Sequence, residues 1–214
     1  MEPFKVIGYY ICETAASPEW LRGVSHRVLS VSGCIGEQHP RWECFLGGFR
    51  KGEDREYQKK LQMDNARYEE FSQAVNRLFT LRQIDLDSRF LRLSDARGLY
   101  QKFFSALPCR LVSVSTTPEY FDILAEEQKN GSGVCPMSGT PDNGPWLGGD
   151  ILGWDISGFH SFLCNSLQKE LPDAAFNEIG LLENSFPDVV RFAKRIEGQG
   201  EPVVWIPCRI GQCE

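Results

Sequence analysis

CRLVSVSTTPEYFDIL, residues 109–124, decides the architecture. Residues 109–115 form an apolar, strand-like run. The chain then meets Thr116, with Glu119 three residues on, the hydroxyl and carboxylate of a capping box. Tyr120, Phe121 and Leu124 follow at the spacing of one helix face. A strand that runs straight into a capped helix is the unit from which sheets covered by helices are built.

The same alternation extends outward in both directions. Upstream, Ser94 is the expected cap of a helix whose stripe is Leu99, Phe103, Phe104 and Leu107, closed by Pro108. Before it, the polar stretch from residue 52 settles into a helix with Tyr68, Phe71, Val75, Leu78 and Phe79 on one side, ending near residue 80. Residues 4–11 read as a buried strand, residues 27–32 as a second and 42–49 as a third. Ser17-Pro18-Glu19 starts a helix, with proline in the first turn where its missing N–H costs nothing.

Downstream, residues 130–145 (NGSGVCPMSGTPDNGP) break the periodicity. A loop of this length inside a compact domain is uncommon and often functional. Residues 150–157 are strand-like, and Ser157 is placed to cap a helix bearing Phe159, Phe162, Leu163, Leu167 and Leu171. Residues 176–182 are a short extended or loop segment. Ser185-x-x-Asp188 is a second capping box, followed by the stripe Val189, Phe192, Ala193 and Ile196. Residues 203–210 are a last strand, in which Pro207 implies an edge or a strand end. The expected fold is therefore α/β or α+β, a mixed central sheet with helices packed on it. It forms a single domain over residues 1–214, with the loop at 130–147 as the place where two subdomains would divide.

Composition limits the function classes. A hydrophobic share of 42% and a charged share of 24% belong to a chain that folds, not to a disordered one. No window approaches the ~18 uninterrupted apolar residues of a membrane span. The start, MEPFKVIGYYICE, lacks the basic flank and long apolar core of a secretory signal, so a cytoplasmic location is expected. The eight cysteines are consistent with that, read as reduced thiols with no C-x-x-C pair among them. Cys34, His39 and Cys44 offer no obvious fourth ligand, so no metal is expected. Gly131-x-Gly133 lacks the third glycine of a dinucleotide fingerprint and no P-loop occurs, so no cofactor is expected either.

The net charge of −6 disfavours a nucleic-acid surface. It is also unevenly spread. Residues 1–107 carry 16 Lys and Arg against 14 Asp and Glu, whereas residues 108–214 carry 7 against 15. The C-terminal half is thus net −8, a surface that would steer a basic partner.

Two chemical constellations compete with that binding reading. In one, a cysteine nucleophile at Cys34 would work with His39, although no G-x-nucleophile-x-G elbow frames it. In the other, Asp155 and His160 would act as acid and base at a strand end. Asp150 and Asp155 differ by an odd number, so strand alternation puts them on opposite faces and argues against a carboxylate pair. Either constellation would make the protein a cytosolic hydrolase or transferase.

HSFLCNSLQKEL, FNEIGLLENSFPDVVRFAKRI and GEPVVWIPCRI, taken in order, resemble the C-terminal part of small bacterial proteins, some of which are similar to immunity proteins of polymorphic toxin systems. The shared pattern is a helix, an Asn-Glu-x-Gly-Leu turn, a helix and a Trp-containing last strand. The resemblance implies a cytosolic, acidic, non-enzymatic inhibitor that blocks a toxin by protein–protein contact. On that expectation Glu170, Asp173, Glu178 and Glu183 steer and pair with the basic partner, and Trp146 and Trp154 anchor the contact.

Overall fold

Strand alternation along residues 109–116 splits the interior into two faces. The computed structural model describes residues 4–13, 58, 62–84, 89–129, 141–142, 150–158, 171–177, 181–197 and 205–213. Its four strands are β1 (Lys5–Glu13), β2 (Cys109–Thr116), β3 (Ile151–Gly158) and β4 (Trp205–Gln212). They form one sheet in the order β1-β2-β4-β3, and every described pair is antiparallel. The α+β form of the expected fold is the one adopted. β2 and β3 run parallel to each other with β4 between them, so the segment joining them is a split crossover. The sheet draws strands from both sides of residues 130–147.

The helices are α1 (Asn65–Thr80), α2 (Leu93–Leu99, continued by a π-type turn at Tyr100–Phe104), α3 (Pro118–Lys129) and α4 (Phe186–Ile196). On the first face, Cys109 and Leu111 of β2 and Tyr9 and Ile11 of β1 meet Phe71 and Val75 of α1 and Leu99, Phe103 and Phe104 of α2. Phe71 is wholly buried and meets Phe103 and Phe104 edge-on, at ring-centroid distances of 5.3 and 5.8 Å. On the second face, Val112, Val114, Ile206, Cys208 and Ile210 receive Leu124 of α3, with Tyr120 and Phe121 beside it. A third cluster joins Ile156 and Trp205 to Val189, Ala193 and Ile196 of α4. Among the described side chains the apolar stripes of all four helices are those expected from their periodicity; Phe79, expected on the α1 stripe, lies outside them.

The helix starts differ in an instructive way. Ser185 and Asp188 form the expected capping box: the Ser185 N–H and hydroxyl both donate to the Asp188 carboxylate, at 3.3 and 2.6 Å. Thr116 is no cap. It ends β2, and its hydroxyl donates to the Pro207 carbonyl at 2.7 Å; Thr117 precedes the helix and its carbonyl accepts the Phe121 N–H. Ser94 is also inside its helix, because α2 begins at Leu93. There the Leu93 N–H donates to the carboxylate of Asp142, 49 residues away, at 3.2 Å. Asp142 is stitched in further: its N–H donates to Leu91 and its carbonyl accepts the Tyr9 hydroxyl at 2.6 Å.

Pro207 sits in a strand with neighbours on both sides, not in an edge strand. Its partner Ile156 lies on β3, while the β2 ladder stops at Ser115–Arg209, two residues before it is reached. Proline is tolerated because on that side no ladder hydrogen bond is asked of it.

The expected elements at 17–19, 27–32 and 42–49, and the helix after Ser157, lie outside the described residues.

Candidate functional site

The register places one residue from each of three strands, β2, β4 and β3, in a row across the first face. Arg209 of β4 stands opposite Ser115 of β2 and opposite Trp154 of β3. Phe4, just before β1, lies at the same end. The Arg209 guanidinium packs over the Phe4 ring, 4.5 Å from its centroid, and its Nε donates to the Ser115 hydroxyl at 3.2 Å. Phe4, Trp154 and Phe186, the first residue of α4, are mutually packed at centroid distances of 6.0, 5.2 and 5.3 Å. Burial lowers the tendency of Arg209 to hold its proton. Among the described residues, no carboxylate lies within ion-pair distance of it.

The second face carries the acidic surface. Along α3 the exposed positions among the described side chains are Glu119, Asp122 and Glu126, spaced i, i+3, i+7 on one stripe. Asp122 meets Lys5 at 3.3 Å, with both side chains well exposed. Tyr120 is partly buried beside this stripe. Its hydroxyl titrates above the ordinary 10.0, first because burial disfavours the phenolate and then because Glu119 and Glu197 are near. Glu197, just past α4, therefore belongs to the same negative surface.

The sequence-derived candidates are dispersed by comparison. Asp155 is buried (2% exposed) on the second face, opposite Cys208, and its Oδ1 accepts the Ile156 N–H at 2.7 Å. Asp150 is exposed. The register slips between Ile151 and Gly153, so simple alternation does not relate the two aspartates. Trp154 is half-buried rather than exposed, because its indole lies in the aromatic trio. Asp173 is exposed and its charge is met by Arg195 of α4 at 3.6 Å. Glu183 is exposed, and its backbone N–H donates to the Ala175 carbonyl. Cys34, His39, Trp146, His160, Glu170 and Glu178 lie outside the described residues. Among the described residues no group of three or more His, Cys, Asp and Glu is arranged to hold a metal, and no helix is long and apolar enough to cross a membrane.

Reading the sequence for local clusters of carboxylates missed the α3 stripe. The signal was present as Glu119, Asp122 and Glu126 at helical spacing, opposite the apolar Leu124. The Arg209 row had no such signal, because its members come from residues 4, 115, 154, 186 and 209. Comparison with protein-family models, curated proteins and solved structures finds no match to this chain.

Proposed function

We propose that the protein acts by binding a basic protein partner, in the manner of an immunity protein that neutralises a cognate toxin. The observation that carries this reading is the acidic stripe Glu119–Asp122–Glu126 on α3, with Glu197 and the ring of Tyr120 beside it. It sets three of the fifteen carboxylates of the C-terminal half on one solvent-facing stripe of a single helix. Exposed carboxylates of this kind steer a cationic partner and set its orientation, and a half-buried tyrosine between them supplies contact area at low entropic cost. Asp173 contributes less than its sequence position suggests, since Arg195 offsets it, and within the stripe Lys5 offsets Asp122 in the same way, so Glu119 and Glu126 carry most of its charge. The resemblance of the C-terminal segments to immunity-like proteins supports the same reading.

The test is retention of a basic protein by the tagged chain in its native host, at low and high salt, followed by a double charge reversal. Glu119→Lys with Glu126→Lys should lower thermal stability only slightly, because both side chains are exposed and only Glu119 faces the helix N-terminus. It should slow association by about tenfold or more, as reversal of rim charges does. A retained partner that is acidic, or one whose association rate ignores both salt and the reversal, would overturn the proposal.

A further inference from the structure

The α3 stripe does not involve the opposite face of the sheet, where Arg209 poses a separate question. A guanidinium half-buried in a protein is ordinarily met by a carboxylate, because removing a charge from water is costly without a partner. Here Nε is held by Ser115 and one side of the ion is covered by Phe4. The Nη atoms carry four further N–H donors, and no described residue supplies an acceptor for them. Ser115, which fixes the fork, is itself fully buried at the last rung of the β2–β4 ladder, so the guanidinium is held by a side chain that the strands keep in place.

The geometry points to a carboxylate-binding site in which the Nη edge of Arg209 takes both oxygens of the ligand and the Phe4–Trp154–Phe186 trio takes the apolar body that carries it. A planar fork with one edge free matches a planar, singly charged carboxylate bidentately. Phosphate fits less well, since a dianion would be left with one cation in a chain of net charge −6. The three rings come from three separate elements and meet beside the cation, so an aromatic or branched aliphatic carboxylate gains contact there that acetate cannot. Two sources offer this chemistry: a free small acid, or the C-terminal residue of another protein.

Calorimetry on the full chain with acetate, 3-phenylpropionate, inorganic phosphate and the tripeptide Ala-Ala-Phe, as free acid and as amide, separates these cases. The site requires 3-phenylpropionate or the peptide acid to bind, at least tenfold more tightly than acetate or phosphate. It also requires the Arg209 Nε–H resonance to shift on addition. Peptide acid binding more tightly than 3-phenylpropionate assigns the source to a protein C-terminus, and the reverse order assigns it to a small acid. Arg209→Lys keeps the charge and removes the fork, and should weaken binding tenfold or more. Because any change at Arg209 can disturb the sheet, the unmutated protein decides: no heat and no Nε–H shift with any carboxylate overturns the proposal. Equal binding of the amide, or of phosphate, overturns it as well. None of these outcomes depends on whether α3 binds a partner.

Discussion

Adding one methyl group at Gly153 should loosen a whole segment. A Cβ built there would lie 2.7 Å from the Leu181 Cβ, 3.1 Å from the Leu182 carbonyl oxygen and 3.2 Å from the Asn177 Nδ2. The first two are backbone or next to it, so they cannot swing aside as a side-chain tip does. Asn177, Leu181 and Leu182 would have to move off β3. That movement strains the paired Trp154–Leu182 hydrogen bonds of 2.9 and 2.7 Å and the 2.8 Å bond from Asn177 to the Leu152 carbonyl. Overpacking a tight site costs about 1–3 kcal/mol, and one or two weakened hydrogen bonds add about 1 kcal/mol each. Gly153→Ala should therefore destabilise by about 2–5 kcal/mol, lowering Tm by roughly 4–20 °C in a chain of this size. Urea denaturation measures the loss. Amide exchange locates it, with the Trp154 and Leu182 N–H groups losing protection before those of β2. A variant as stable as the parent, with those two amides still protected, would refute the reasoning.

Gly98 gives the opposite expectation. It is exposed within α2 and a Cβ there meets nothing within 4 Å, so Gly98→Ala should stabilise by about 0.5–1 kcal/mol in the same urea titration. Asp142→Ala removes the carboxylate that receives the Leu93 N–H and should cost about 0.5–2 kcal/mol, read as a lower urea midpoint at unchanged slope. Asp95 titrates above the ordinary 3.8, first because of burial, against the pull of Arg92 and with a further push from Asp142. A carboxyl whose folded pKa is raised disfavours folding above that value and ceases to do so below 3.8. Asp95→Asn should thus raise stability at pH 7 by up to about 1 kcal/mol, discounted because the group is only partly buried, and the gain should vanish as the pH falls through the raised value. A gain that is independent of pH would show that the ionisation of Asp95 is not its source.

Local rules served well where both partners of an interaction are close in sequence. Ser185 and Asp188 are three residues apart, and their capping box stands as read. The apolar stripes of α1, α2 and α4 follow from periodicity alone, since a helix must turn such a stripe toward a core. The readings that changed involve partners from elsewhere. Thr116 has a hydroxyl suited to capping, but Pro207 on a neighbouring strand offers it a carbonyl 91 positions away. Ser94 was the nearest capping residue, yet Asp142 takes the role through space. Trp154 reads as an exposed aromatic until Phe4 and Phe186 are brought against it. The acidic surface was legible in total charge but not in location, because steering depends on which face of α3 the carboxylates share.

The strand order also constrains when the sheet can exist. β1 and β2 pair directly and close one half of it early in synthesis. Among the described strands β3 pairs only with β4, and β4 is the last of the four to be made. Until residues 205–212 have emerged and slid between β2 and β3, each of those strands presents an open edge to the cell. Such edges template pairing with other chains. The interval between making β3 and placing β4 is therefore when this protein most needs protection from aggregation, and slow supply of its C-terminal residues should lower soluble yield more than slow supply of α1.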